Sequence, residues 1–330
     1  MEGETEMEQT VTPTAALDVH AFEDQLRKAA HDELTKSLSP HTTKAYKDDW
    51  ADFERFCAAS CHVAFPATVY VLKVYCSDRA TKVSKSTLNR RIAAISRKHR
   101  EVDGVFNPVR DSTFRLLMSG LRRKNHTPQI QKKALLVEDL VEILGQIDTD
   151  TPQGLRDRAL LLIGFAGALR RSELVALNRD DIEIGRQGIV IKIRQSKTDN
   201  EGQGQEVAIP RGRRPATCPV TQLEAWLAEL GAQQGPIFVR VRRHGVITDQ
   251  RLSDAAVAVL VKSYVGHAGF EAKDFSGHSL RAGLATSAAM AGQSDRQIMA
   301  QTRHKSEAMV RIYIRKGTLF LDNVVSSLNL

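Results

Sequence analysis

The chain has 330 residues, of which 42% are hydrophobic and 26% charged, and a formal net charge of +8. That length accommodates two domains, each able to bury its own core, and the composition is that of an ordinary globular protein. The longest apolar run, Leu160 to Leu169, falls short of the ~20 residues a membrane span needs. Glu2, Glu4, Glu6 and Glu8 make the N-terminus too acidic for a secretory signal, so the expectation is a cytoplasmic protein. The positive charge favours a polyanionic partner, though weakly by itself. Cys57, Cys61, Cys76 and Cys218 show no paired ligand spacing and read as free core thiols rather than a zinc site.

Residues 1–20 read as a disordered acidic tail. A helical domain is expected over 21–123. A first helix with Phe22 and Leu26 begins at Ala21. Ser39-Pro40 then opens a helix carrying Tyr46, Trp50, Phe53 and Phe56 at spacings of four and three. That aromatic stripe reads as core rather than as a platform for stacking. Pro66 precedes a helix over Val69 to Cys76. The next, Ser84 to His99, turns Leu88, Ile92 and Ile95 inward and keeps a basic edge with Arg90 and Arg91. Phe114 to Arg123 closes the domain on Arg122 and Arg123. Residues 124–134 contain Pro128, Lys132 and Lys133 and little apolar content, as a domain linker would. A lysine-bearing strap between two basic-edged domains suits a clamp around a duplex; it equally suits a solvated linker.

The second domain is expected over 135–330. Helices fall near Val137 to Leu144 and Leu155 to Phe165, with Gly164 and Gly167 weakening the second and Arg170 at the break. Asp181 to Ile184, Gly188 to Arg194 and Glu206 to Pro210 read as strands, and Lys197 stands in the turn between the last two. A helix begins near Pro219 and runs to Leu230, Ile237 to Val239 is extended, and Asp249 to Val265 is helical. Arg213, Arg214, Arg242 and Arg243 sit in two basic loops fit for phosphate contact or base reading. Three short helices follow, after Arg281, over Gln293 to Ala300 and over Ser306 to Ile314. The apolar tail, 317–330, needs a surface to bury against. The fold class is mainly α: an N-terminal helical bundle plus an α+β domain with a small antiparallel sheet.

Within 274–316 several polar residues are hard to explain as packing. His278 and Arg281 lie three apart, on one face of a helix; His304 falls in a turn and Tyr313 near the end of the following helix. A tyrosine hydroxyl, with a reference pKa near ~10, attacks a phosphodiester only when cations neutralise the phosphate and a base takes the proton. Arginine suits the first task, since its planar fork holds two phosphate oxygens. Arg170 supplies a second guanidinium, Glu173 can orient it, and Lys197 adds a further cation.

In order, type and spacing this set resembles the tyrosine site-specific recombinases, or integrases. Arg170 with Glu173, Lys197, His278 with Arg281, His304 and Tyr313 stand where that family has its catalytic residues. Where many members carry Leu-Gly-His, this chain reads Gln301-Thr302-Arg303 ahead of His304. The resemblance implies a core-DNA-binding domain over 21–123, a catalytic domain over 135–330 and a C-terminal helix exchanged between protomers. It implies double-stranded DNA with an inverted-repeat site as partner, a homo-tetramer on synapsed DNA formed from monomers, and neither metal nor cofactor. Arg90, Arg91, Arg122, Arg123, Lys132, Lys133, Arg213, Arg214, Arg242 and Arg243 become DNA-contact candidates. Two arginines, a lysine, a histidine and a tyrosine also serve a type IB-like topoisomerase, and that alternative stays open.

Overall fold

The structure, a computed structural model, describes residues 38–124, 132–194, 204–232, 234–304, 306–318, 325 and 328. The acidic tail, the helix expected from Ala21, Lys197 and most of the apolar tail lie outside these residues. The chain divides into two compact units, Met1–Gln129 and Ile130–Leu330.

In the first unit four helices follow one another: α1 (Pro40–Ala59), α2 (Val69–Arg79), α3 (Lys85–Arg100) and α4 (Ser112–Lys124). Their starts are written in the sequence. Ser39, Thr68 and Ser84 each accept a backbone N–H three residues on, satisfying a donor that the first turn leaves without a partner. Three of the four stripe aromatics of α1 join the core: Phe53 is buried, and Trp50 and Phe56 pack against Leu72, Tyr75, Ile95 and Phe114, while Tyr46 is half-buried outside that cluster. Buried His99 is satisfied on both ring nitrogens, with Nε2 accepting from the Ala67 N–H and Nδ1 donating to the Ile95 carbonyl. Cys61 departs from expectation, since it is exposed while the other three cysteines are buried.

The second unit opens with α5 (Val137–Gly145) and α6 (Pro152–Ala166). α6 is buried along most of its length, with Arg156 and Asp157 buried as an ion pair at 2.6 Å. The helix continues through Gly164 and ends at Gly167. A Cβ at Gly164 would stand about 3.0 Å from Leu174 and 3.1 Å from Leu280, so the glycine is what lets those side chains close on the helix. Helix α7 (Arg171–Ala176) follows, and then an antiparallel sheet in the order β1 (Ile182–Ile184), β2 (Gly188–Ile193), β3 (Gln205–Pro210). Ile191 faces Ile182 on one side and Val207 on the other, so the alternating isoleucines of β2 lie on the core face. In α8 (Pro219–Leu230), Trp226 is buried and its indole N–H donates to the Ile237 carbonyl at 2.9 Å.

Beyond α8 the structure departs from the expected elements. A second antiparallel ribbon joins β4 (Val239–Val241) to β5 (Ile247–Arg251), and α9 (Asp254–His267) starts five residues later than expected, capped by Ser253. The strand was hard to see because β5 is mostly polar and exposed; backbone pairing with β4, rather than an apolar face, holds it. Three helices finish the described chain: α10 (Ser279–Met290), α11 (Asp295–Thr302) and α12 (Glu307–Gly317). They share a small core of Ala285, Ala289, Ile298 and Val310, against which Tyr313 packs. Of the C-terminal tail, Val325 and Leu328 are exposed. No helix among the described residues is long and apolar enough to cross a membrane.

Candidate active site

The site is built on the turn between α6 and α7. Ala168 takes a positive φ of 45° there, which reverses the chain and leaves the carbonyls of Gly167 and Ala168 without helical partners. Arg170 caps α7, and Glu173, three residues on, folds back over it. The carboxylate accepts the Arg170 backbone N–H at 2.9 Å through Oε2 and the Arg170 Nη1 at 2.5 Å through Oε1. Burial opposes the charge on Glu173, but these hydrogen bonds and the nearby Arg303 outweigh it, holding the carboxyl below the usual range.

α10 approaches the same turn. His278 caps it and Arg281 lies in its first turn. Gly283 lets the same helix lie against the backbone ahead of α5, since a Cβ there would stand 1.8 Å from the Leu135 carbonyl. Arg281 is 1% exposed; its Nη1 donates to the Ala168 carbonyl at 2.6 Å, and its buried Nη2 has no hydrogen-bond partner among the described residues. Burial, then the charges of Arg170 and Arg303, pull its pKa down to about 10, so it stays cationic at neutral pH. One edge of this guanidinium is thus fixed, and the other is a buried donor without a partner among the described residues.

α12 brings Tyr313 to His278, with Oη and Nε2 3.0 Å apart. Burial pushes the phenol pKa up while Arg281 opposes the shift. Burial also pushes His278 down, helped by Arg281, Arg170 and Arg171. The neutral imidazole is therefore favoured, the state that can accept a phenol proton. The ring of His304 lies 6.0 Å from that of Tyr313. Burial and the surrounding cations bring its pKa to about 4. Arg170, Glu173, His278, Arg281, His304 and Tyr313 are thus brought together from four separate stretches of chain. The two guanidinium groups can neutralise an anion, and the phenol has a proton acceptor within reach, which equips the cluster for attack on a phosphodiester.

Two further residues belong to it. Arg303 ends α11 with φ 55°, and its buried guanidinium donates to Gly167 O at 2.9 Å, to Ala168 O at 3.2 Å and to Glu173 Oε2 at 3.0 Å. It ties the turn and the carboxylate that sets Arg170 to the start of the His304 turn. Thr302 lies 2.6 Å from His304 Nδ1. From the sequence both stood out only as a departure from the Leu-Gly-His of many family members. The signal was the position itself, a threonine and an arginine directly ahead of a site histidine.

The basic residues proposed for DNA contact differ in availability. Arg90, Arg122, Arg123, Lys132, Lys133, Arg213, Arg214, Arg242 and Arg243 are exposed, and three of these, Arg90, Lys132 and Lys133, are already engaged. Arg90 forms a two-point contact with Asp49, and Arg91, half-buried, is ion-paired with Asp52 at 2.8 Å. Lys132 donates to the Lys273 carbonyl and Lys133 pairs with Asp274 at 2.7 Å. Among the described residues no group of three His, Cys, Asp or Glu side chains is placed to hold a metal ion.

A helical unit preceding an α+β unit with this cluster defines a class of protein that the comparisons then specify. The phage integrase family model matches residues 133–318, and that of the phage integrase N-terminal SAM-like domain matches 31–101. An integrase/recombinase XerD homolog of Selenomonas ruminantium is 40% identical over 305 residues, spanning 92% of this chain and 89% of its own. Recombinase Cre of Escherichia phage P1 is 28% identical over 323 residues, spanning 91% of this chain and 92% of its own. Among solved structures, XerH site-specific recombinase bound to palindromic difH substrate in a post-cleavage complex shares the fold. Its TM-score is 0.65 at 17% identity, over 93% of this chain and 84% of that one. A lambda integrase tetramer bound to a Holliday junction also shares it, with TM-score 0.57 at 16% identity, over 89% and 76% of the two chains. The chain belongs to the tyrosine recombinase, or integrase, family and is related to XerC, XerD and Cre.

Proposed function

We propose that the chain is a site-specific DNA recombinase that cleaves and rejoins DNA through a 3′-phosphotyrosyl intermediate. Tyr313 Oη attacks the scissile phosphorus, the P–O5′ bond breaks, and a 5′-hydroxyl leaves. His278 takes the phenol proton, and Lys197 protonates the leaving oxygen. Arg170 and Arg281 hold the non-bridging oxygens as charge develops, His304 donates to one of them, and Glu173 keeps Arg170 in place. The exchange replaces one phosphoester with another of similar energy, so it needs no nucleotide hydrolysis. A 5′-hydroxyl from the partner duplex then attacks the phosphotyrosine and regenerates the phenol. Two such rounds make and resolve a Holliday junction.

The observation that carries this reading is Tyr313 Oη at 3.0 Å from His278 Nε2, beside an arginine with a buried donor that has no partner among the described residues. Relatives support the setting, since XerH is solved on its difH substrate and lambda integrase as a tetramer on a Holliday junction. In this reading residues 21–123 form a core-DNA-binding domain, 124–134 a linker and 135–330 the catalytic domain. The C-terminal helix passes to a neighbouring protomer. Monomers in the cytoplasm assemble as a tetramer on two duplexes with inverted-repeat sites, and the exposed arginines of the DNA-contact set meet phosphates and base edges.

Denaturing gels of the chain with cleavable duplexes test the nucleophile. Tyr313→Phe should bind DNA and form no covalent adduct; an adduct that persists overturns the assignment. Strand exchange between two duplexes, rather than relaxation of one supercoiled circle, separates recombination from the topoisomerase alternative.

A further inference from the structure

We propose that Thr302 fixes neutral His304 in its Nδ1–H tautomer, so that His304 can donate to a DNA phosphate only as an imidazolium, and phosphate capture takes up one proton from solvent. The coupling rests on the recombinase reading for its ligand, a phosphodiester; the tautomer does not.

Thr302 is the last residue of α11 and is wholly buried. Its Oγ1 lies 2.6 Å from the Ile298 carbonyl, which only accepts, so the single hydroxyl proton goes there. The same oxygen is 2.6 Å from His304 Nδ1. With its proton directed to Ile298, the hydroxyl can serve this second contact only as an acceptor, which requires a proton on Nδ1. A neutral His304 therefore has a bare Nε2. That nitrogen would set a lone pair against a phosphate oxygen, whereas the imidazolium donates from both nitrogens at once.

Charge around the ring sets when that happens. His278 and Arg281 from α10, Arg170 at the start of α7, the adjacent Arg303, and Tyr313 from α12 surround it. The carboxylate of the cluster, Glu173, is bound to Arg170 and Arg303. In the free protein, burial and these cations keep the imidazole neutral at pH 7. A phosphodiester held by Arg170 and Arg281 brings a negative charge and an acceptor for Nε2–H, and both favour the imidazolium. The pKa then rises on binding, so affinity falls as pH rises through the bound-state value.

The full chain carrying Tyr313→Phe, which binds without cleaving, permits two measurements. Nitrogen-15 NMR of His304 at pH 7 without DNA should show a protonated Nδ1 and a bare Nε2; an Nε2–H tautomer overturns the inference. Calorimetry then follows binding of a duplex selected by this chain from a random-sequence library, in two buffers of different ionisation enthalpy. Uptake near one proton per bound site is expected. Thr302→Val, which lets the neutral ring move its proton to Nε2, should cut that uptake several-fold, and Thr302→Ser should keep it. His304→Gln, whose amide donates without a charge, should abolish it. Unchanged uptake in His304→Gln overturns the coupling even if Thr302→Val fails to fold. If no duplex is bound, the recombinase reading fails and takes the coupling with it, while the tautomer measurement still decides the role of Thr302.

Discussion

Replacing Arg303 with alanine removes a buried guanidinium that holds Glu173 and the carbonyls of Gly167 and Ala168. Losing one partner of a buried ion pair costs ~3–5 kcal/mol. Here Glu173 keeps Arg170, and Ala168 keeps the 2.6 Å bond from Arg281, so the lower end applies. A loss of about 3 kcal/mol is expected for Arg303→Ala. Arg303→Gly should lose about 1 kcal/mol less, because position 303 has φ 55° and glycine adopts that conformation without a Cβ penalty. Arg303→Lys should recover little, since an ammonium cannot reproduce a fork spanning a carboxylate and two carbonyls. Urea unfolding followed by Trp226 fluorescence in a Trp50→Phe background reads the second unit. Cleavage by the same variants reports how far Arg170 has been displaced. If Arg303→Ala unfolds within about 0.5 kcal/mol of its parent, the level of a surface change, the arginine does not hold this turn together.

Lys197→Ala should slow cleavage of an ordinary phosphodiester, and a substrate with a more acidic 5′ leaving group should restore it; a rate that stays low on that substrate removes lysine from the proton-donor role. Gly283→Ala would raise helix propensity in isolation. In the fold its Cβ would overlap the Leu135 carbonyl, so the second unit should lose about 1–3 kcal/mol, readable as a lower urea midpoint. Glu173 has a depressed pKa in the folded state, so its stabilisation is complete above the unfolded value near ~4.3 and is lost as pH falls through the folded one. Glu173→Gln should therefore flatten the acid limb of the stability profile, measured as ΔG of unfolding between neutral pH and about pH 3.

Helix starts were legible because local chemistry sets them. Ser39, Thr68, Ser84 and Ser294 cap their helices through side-chain bonds three residues ahead, whereas Ser253 caps α9 in the same way but its helix was expected from Asp249. The three-stranded sheet was legible because isoleucines alternate along β2 and one face is buried. The ribbon of β4 and β5 was not, since β5 has no apolar face to mark it and exists through pairing with a strand upstream. The packing at Gly164 was hidden for the same reason: the Leu174 and Leu280 side chains that close on it come from elsewhere in the chain.

For the site, sequence by itself determined which chemical groups are present and in what order, because a tyrosine, two histidines and two arginines at those spacings are local facts. Their convergence was decided only in three dimensions. The 3.0 Å approach of Tyr313 to His278 depends on α12 packing against α10, and the setting of Arg170 depends on a carboxylate that Arg303 also grips from far along the chain. Thr302 becomes informative only when its hydroxyl is seen between a carbonyl and an imidazole. Hydrogen bonds and desolvation act over a few ångströms, and only tertiary packing makes residues distant in sequence neighbours at that range.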